Sequence, residues 1–298
     1  MGAISAEARG LVRQQLARLN TPPDDSVPVR LQHVVEGRTR CFRQGKRLKE
    51  DEIADLNTEL IRGIPVLEVV DQTFVYPHYA LASVVEKDRN FQEGAVIVRC
   101  LRLTITRRRV SFFDHMIGAM FSFHSLCRII ERASLSNPLI EHILQHSPTA
   151  AAHLIVLWKE MCGDNGFAIP FADGLAIGTF TTMDFNAPSI EFVANKTGGG
   201  FPSTDAFSLW RDSQQRVHAG AIRTFLSVDQ LNFAQEKLLD QWHRIRRVHG
   251  APIKKLQECV LQNDLCERRE FERFHLEVRG EVHRLINSQL WHDVVHSS

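Results

Sequence analysis

A histidine, two arginines and a glutamate recur at helical spacing in one short segment of the chain. Residues 122–132 have the sequence SFHSLCRIIER. At about 100° per residue, the side chains of His124, Arg128 and Glu131 fall within one narrow arc, with Arg132 at its edge. The apolar residues of the segment fall on the opposite side. One side of the predicted helix can therefore pack on a sheet while the other presents ionisable groups.

This grouping suits metal-independent cleavage of RNA. The reaction needs a group that takes the proton of the 2′-hydroxyl or protonates the leaving oxygen, and fixed positive charge around the phosphorus. Histidine suits the first role because its unperturbed pKa is about 6.5. Arginine suits the second because its planar fork pairs with phosphate oxygens and stays charged. His124 is thus the candidate general acid or base, with Arg128 and Arg132 as phosphate-binding groups.

The segment resembles a helix signature of small bacterial toxin-like domains, roughly Ser-x-His-Ala-x-x-Arg-x-x-x-Arg. Those domains are related to the barnase/RelE/colicin-type ribonuclease-toxin fold. The chain departs from the signature at Ser125, where the pattern has alanine. The resemblance covers at best the central part of the chain, and its specific part is residues 122–132. It carries onto Ser122, His124, Leu126, Arg128, Glu131 and Arg132.

The resemblance implies a ribonuclease-like domain in which a Thr or Ser and an Arg on late strands complete the site. Strands are predicted near residues 169–180 and 217–226. Arg223 and Thr224 are therefore the residues implied to complete the site.

Two other interpretations of the same segment stay open. A helix face with these side chains is also typical of a solvated surface, on which Arg128 and Glu131 pair at i,i+3. A domain that shares the ancestry of the fold could also have become a binding module, because fold does not fix function.

Arginines crowd the strand predicted over residues 95–113. Nucleic-acid phosphates are bound by such clusters, although an edge strand protected by charge against mispairing would carry one as well. The candidate nucleic-acid-binding residues are Arg99, Arg102, Arg107, Arg108 and Arg109.

A basic helix is predicted around residues 242–249, WHRIRRVH. It could hold backbone phosphates while Trp242 stacks on a base. The favoured interpretation places Trp242 and Ile245 in the core, with the arginines favouring the helix C-terminus.

No metal or cofactor is expected. His142 and His146 are spaced i,i+4, as are His292 and His296, which is half a zinc site. No third ligand stands at a diagnostic distance from either pair. A Walker loop, a GxGxxG pattern and a Gly-x-Ser-x-Gly elbow are absent from the sequence.

Composition favours a globular protein that does not cross a membrane. The 298 residues are 44% hydrophobic and 24% charged, with a net charge of +1, which excludes wholesale disorder. No run of about 18 apolar residues exists, and the charged first twenty residues do not resemble a secretory signal. Because the six cysteines form no CxxC pair, reduced thiols and a cytoplasmic location are expected.

Periodicity and turn residues predict the elements that must position these side chains. The expected fold class is α+β: a mostly antiparallel sheet packed by helices, with a C-terminal helical extension. We divide the chain into an N-terminal segment (1–92), a central core with the site (93–227) and a helical region (228–298). Helices are predicted at 4–19, 50–62, 114–134, 137–146, 149–162, 228–250, 252–262 and 265–290, with strands or a hairpin at 28–44, 95–113, 167–180 and 217–227 and a long polar loop at 195–216.

Together these features predict a cytoplasmic, bacterial toxin-like protein that processes RNA without a cofactor. One alternative is a non-catalytic module that binds nucleic acid or protein. Another is an oligomeric structural or adaptor protein that assembles through the C-terminal helices.

Overall fold

A seven-stranded sheet lies at the centre of the computed structural model. The strand order is β1-β2-β3-β4-β7-β6-β5, and every neighbouring pair is antiparallel except β4 and β7. The strands are β1 (Glu68–Val70), β2 (Thr73–Val85), β3 (Gln92–Ile105), β4 (Val110–Ser122), β5 (Gly166–Phe171), β6 (Gly174–Met183) and β7 (Val217–Ser227). The structure describes residues 4–19, 49–52, 54–55, 58, 68–70, 73–85, 92–105, 110–133, 138–161, 166–183, 217–262 and 265–295.

Helices pack on the sheet and form the C-terminal part of the chain. They are α1 (Ala6–Leu19), α2 (Phe123–Arg132), α3 (Leu139–Glu160), α4 (Phe233–Val248), α5 (Gly250–Gln262), α6 (Leu265–Ile286) and α7 (Gln289–Val295), with a 3₁₀ turn at Val228–Gln230 before α4. α2 packs on β7 and α3 on β4 and β5, while α4 and α7 pack on β5. The α+β class, the mostly antiparallel sheet and the C-terminal helices are therefore confirmed.

The prediction of a helix beginning at Asp114 is wrong. Asp114 lies in β4, opposite Leu101 of β3, and the strand continues to Ser122. Ile117, Ala119 and Phe121 are fully buried. All of residues 117–121 are buried, as in a strand covered on both faces, and pairing with β3 outweighs the helical pattern. The helix starts only at Phe123.

Two further boundaries differ from the prediction. The helices expected at 137–146 and 149–162 are one helix, α3, which contains Pro148 in its interior. Proline removes one backbone donor, the one that would face the Leu144 carbonyl. In the same turn the Ser147 hydroxyl donates to the Ile143 carbonyl at 2.6 Å. The strand expected at 167–180 is a hairpin that turns at Ala172, where φ is 50°.

Several expected elements lie wholly or partly outside the described residues. These include the strand or hairpin at 28–44, most of the helix at 50–62 and the loop at 195–216. β2 and β3 pair over their full length, from Val85 opposite Gln92 to Thr73 opposite Thr104. That pairing crosses the boundary expected near residue 92, and the division into three segments stays a prediction.

Candidate functional site

Ser122 is the last residue of β4 and the N-cap of α2. Its hydroxyl accepts a hydrogen bond from the Ser125 backbone N–H at 3.1 Å, and the Ser125 hydroxyl donates to the Ser122 carbonyl at 2.8 Å. Such a cap stabilises the first turn of a helix by about 1 kcal/mol. His124 therefore lies in the first turn of α2, immediately beyond the sheet.

α2 packs on β7, which pairs with β4 over only three residues. β4 pairs with β7 only from Ala119 opposite Gly220 to Phe121 opposite Ile222. Beyond that point the Arg132 guanidinium donates from Nη1 to the Phe225 carbonyl at 2.5 Å. Since a β-strand edge without a partner leaves its carbonyls unsatisfied, Arg132 caps this edge and fixes the last turn of α2 against β7.

A bulge in β7 places the two residues that were expected to complete the site. Ile177 of β6 pairs with Thr224, but the next residue, Gly178, pairs with Ile222. Arg223 is therefore the extra residue of the bulge, and such a residue re-aims the side chains of its strand. Arg223 is exposed and Thr224 is half-buried. Both lie directly before Phe225, the residue that Arg132 contacts.

Glu131 connects α2 to α1. Its Oε2 accepts from Arg128 Nη1 at 2.8 Å, and its Oε1 accepts from the Ser5 backbone N–H at 2.6 Å, one residue before α1 begins. The Arg128 side chain is 5% exposed and the Glu131 side chain 18%. The i,i+3 pair of Arg128 and Glu131 that the sequence allows is thus present. Glu131 also binds the backbone just before α1.

The charges of this cluster perturb one another. Burial raises the pKa of Glu131, but hydrogen bonds from Ser5 and Arg128 outweigh it, so the pKa of this carboxyl lies below its ordinary value. Burial, and then repulsion from Arg128, lower the pKa of Arg132, while Glu131 acts in the opposite sense. Two guanidinium groups and one carboxylate therefore share a partly buried space. Their sum is one positive charge, which suits the binding of an anion.

The structure brings five predicted site residues onto two packed elements. His124, Arg128 and Arg132 follow one another by single turns on α2, and Arg223 and Thr224 lie on the strand beneath it. His124 is half-buried.

The arginine strand is different. Arg99 lies in β3 and is 5% exposed, so it does not present its guanidinium to solvent. Arg102 is also in β3, but its side chain is outside the described residues, and so are Arg107, Arg108 and Arg109. Their role as nucleic-acid contacts stays a prediction.

The two histidines of α3 lie together without a third ligand. The rings of His142 and His146 have centroids 4.6 Å apart, and both contact Phe171 of β5. Burial lowers the pKa of each imidazole, and Asp173 acts to raise it. Among the described residues, no three His, Cys, Asp or Glu side chains are grouped so as to hold a metal ion. Of the second pair, His296 is outside the described residues.

Trp242 belongs to the core. It is 1% exposed, and its Nε1–H donates to the Ala168 carbonyl of β5 at 2.9 Å. The favoured interpretation of a core tryptophan is confirmed, and stacking of Trp242 on a base is wrong.

Sequence reasoning missed a charge cluster between α3 and α6. The Glu160 carboxylate, 4% exposed, lies 3.1 Å from His275 Nε2, 3.0 Å from Arg279 Nε and 3.9 Å from His283 Nδ1. Basic residues at i, i+4 and i+8 on α6 were the available sequence signal. The distant partner on α3 had none, because pairing over more than a hundred residues leaves no local pattern.

Among the described helices, none has the length and apolar character that crossing a membrane requires. No protein-family model matches the chain, and neither curated proteins nor solved structures include a significant match to it. We call the side chains of His124, Arg128, Glu131, Arg132, Arg223 and Thr224 the α2–β7 cluster.

Proposed function

We propose that this chain is a cytoplasmic, bacterial toxin-like ribonuclease that cleaves RNA without metal at the α2–β7 cluster. The observation that carries the proposal is the bond from Arg132 to the Phe225 carbonyl. It fixes the last turn of α2, the helix that carries His124 and Arg128, against β7, the strand whose bulge holds Arg223 and Thr224. An imidazole, fixed cations and a hydroxyl are the groups that this reaction uses.

Each residue has a distinct role in the proposed reaction. His124 takes the proton of the ribose 2′-hydroxyl, whose oxygen attacks the phosphorus. The bond to the leaving 5′-oxygen breaks, leaving a 2′,3′-cyclic phosphate. The 5′-oxygen takes a proton from solvent water to become a hydroxyl, and His124 returns its proton to solvent. Arg223, which is exposed, and Arg132 contact the phosphate oxygens, and Thr224 donates a hydrogen bond to them. Arg128, which Glu131 holds and which is 5% exposed, contributes charge from behind the site.

Incubation of the purified protein with total RNA, with and without EDTA, tests this proposal. We expect cleavage that resists EDTA, and loss of at least a hundredfold in His124→Ala, because general acid–base catalysis contributes about 10²–10⁴-fold. The matched control is His292→Ala, which removes an exposed histidine from α7. Absence of cleavage, or equal cleavage by His124→Ala and the parent chain, would overturn the catalytic assignment.

A non-catalytic binding module is the second candidate. The Arg128–Glu131 pair favours it, since that pair already satisfies a guanidinium internally and ties α2 to α1. Such a module would bind RNA without cleaving it, and His124→Ala would leave its affinity unchanged.

A further inference from the structure

The junction of α4 and α5 is strongly basic. Residues 241–257 contain five lysines and arginines and no aspartate or glutamate. All five are exposed, namely Arg244, Arg246, Arg247, Lys254 and Lys255. Charge on this surface is therefore of one sign across more than four helical turns of sequence.

Most of these cations are unneutralised by protein carboxylates. Lys255 Nζ lies 2.6 Å from Glu258 Oε2 and is paired. Within the part of the chain that the structure describes, Arg244, Arg246, Arg247 and Lys254 take part in no ion pair. Asp240, one turn before Arg244, is not among their partners. Four cations are thus available to an external anion.

The buried side of α4 orients this charge. Leu238, Trp242 and Ile245 are buried, and Trp242 is fixed by its bond to Ala168. At about 100° per residue, Arg244 and Arg247 fall on the opposite side of the helix and point away from the core. The two guanidinium groups stand one turn apart on a helix that cannot rotate.

A buried group experiences the same positive field. His153 of α3 is 2% exposed and packs edge-on against Trp242, with ring centroids 5.0 Å apart. Burial first, and then the positive charges of Arg246 and His243, lower the pKa of His153 to about 4, while the Thr149 backbone acts to raise it. The charge of the α4 face therefore reaches into the protein interior.

We propose that the α4–α5 junction binds the phosphate backbone of RNA without reading its bases. Complementarity of charge selects a polyanion, and the burial of Trp242 removes the one tryptophan, tyrosine or phenylalanine of residues 241–257 that could stack on a base. α4 packs on β5 and β6, whereas α2 packs on β7. The junction is therefore a second contact with the substrate, and it rests on the proposed ribonuclease function only in the choice of RNA.

A probe that cannot be cleaved separates this surface from the catalytic site. A labelled 2′-O-methyl oligoribonucleotide lacks the free 2′-hydroxyl, so its fluorescence anisotropy reports binding alone. The test variant is Arg244→Gln with Arg247→Gln. The matched control is Arg273→Gln with Arg284→Gln, which removes the same charge from exposed positions of α6 that are paired with glutamates.

The expected result is a smaller salt dependence in the test variant. Each lost phosphate contact lowers the slope of log K against log salt by about 0.7 for a single strand. Two lost contacts lower the slope by about 1.4. The loss of affinity between 50 and 200 mM salt should therefore be about sevenfold smaller in the test variant than in the parent chain. The control double variant and His124→Ala should bind like the parent chain.

Four outcomes would overturn the proposal. The parent chain could show no salt-dependent binding, or the two double variants could lose affinity equally. Alternatively, the parent chain could bind vesicles of phosphatidylcholine with phosphatidylserine but not the oligonucleotide, which would assign the surface to anionic lipid. If His124→Ala loses cleavage but still binds the oligonucleotide, the α4–α5 surface is supported. If the parent chain cleaves RNA but Arg244→Gln/Arg247→Gln binds as the parent does, the surface is refuted and the proposed ribonuclease function is not.

Discussion

Arg279 of α6 places its Nε 3.0 Å from Oε2 of Glu160, so an ion pair joins the last turn of α3 to a helix more than a hundred residues later. The Glu160 side chain is 4% exposed, while that of Arg279 is 57% exposed. His275 Nε2 lies 3.1 Å from the other carboxylate oxygen. This carboxylate is thus a polar tie between the C-terminal helices and the helix that packs on the sheet.

Glu160→Gln should destabilise the protein by about 1–2 kcal/mol. The amide keeps the shape but removes the charge that Arg279 and His275 face, and the exposure of Arg279 keeps the loss below that of a fully buried pair. The measurement is the urea midpoint at constant m-value. Glu281→Gln, whose glutamate pairs with exposed Arg284, should cost less than about 0.5 kcal/mol. Equal losses in the two variants would refute a special role for Glu160.

His153 should make the protein less stable in mild acid. Its folded-state pKa, about 4, lies below the ordinary histidine pKa of 6.5, so the unfolded chain binds more protons between these two values. Stability therefore falls as pH falls through this window. The contribution of His153 is on the order of 2 kcal/mol between pH 7 and pH 5. Urea unfolding at both pH values measures it.

His153→Phe removes this ionisation and keeps a ring against Trp242. The variant should lose about 2 kcal/mol less than the parent chain between pH 7 and pH 5. His292→Gln, at an exposed position of α7, should retain the parent's pH dependence. If His153→Phe and the parent chain lose the same free energy of unfolding between pH 7 and pH 5, His153 is not the group that titrates.

Local sequence patterns predicted the central strands and the C-terminal helices because those elements carry their own periodicity. β7 is recognisable from its apolar, β-prone residues, and α1 from its amphipathic spacing. The helix expected from Asp114 failed because pairing with β3 decides the structure of residues 114–121, and a partner strand leaves no local pattern. The hairpin turn had only a displaced signal, since the Asp-Gly dipeptide typical of such turns stands at 173–174, whereas the two loop residues are Ala172 and Asp173.

The residues of the candidate site on α2 could be predicted from the sequence, but their contacts with distant parts of the chain could not. The arc of His124, Arg128 and Glu131 follows from helical geometry. The contacts of Glu131 with Ser5 and of Arg132 with the Phe225 carbonyl join residues 126 and 93 positions apart. The bulge at Arg223 depends on the register of two strands, which periodicity within one strand does not fix.

Gly178→Ala should disturb the bulge that presents Arg223. A Cβ at Gly178 would overlap the Ala221 carbonyl oxygen and lie 2.6 Å from Phe167 Cζ. Because a backbone oxygen cannot move aside, the overlap should destabilise the protein by about 1–3 kcal/mol. At Gly220 the Cβ would meet only the end of the Leu154 side chain, at 2.7 Å. Gly220→Ala should therefore cost less in urea unfolding, and the reverse order would show that the bulge does not depend on Gly178.

Glu131→Gln should strengthen anion binding at the α2–β7 cluster. The lowered pKa of Glu131 means that it is ionised at neutral pH, where it competes with any phosphate for Arg128. A glutamine keeps an oxygen for the Ser5 N–H but replaces the oxygen that accepts from Arg128. Release of a pair worth about 1 kcal/mol should raise the affinity for a 2′-O-methyl tetranucleotide about fivefold.

Isothermal titration calorimetry measures this affinity, with Glu277→Gln as the control. Glu277 also pairs with an arginine, Arg273, but on α6, so its loss changes net charge equally without touching the cluster. A fivefold gain in affinity that is confined to Glu131→Gln would show that Arg128 can bind an anion once Glu131 no longer pairs with it. An unchanged or weaker affinity would show that the Arg128–Glu131 pair serves only to tie α2 to the start of α1.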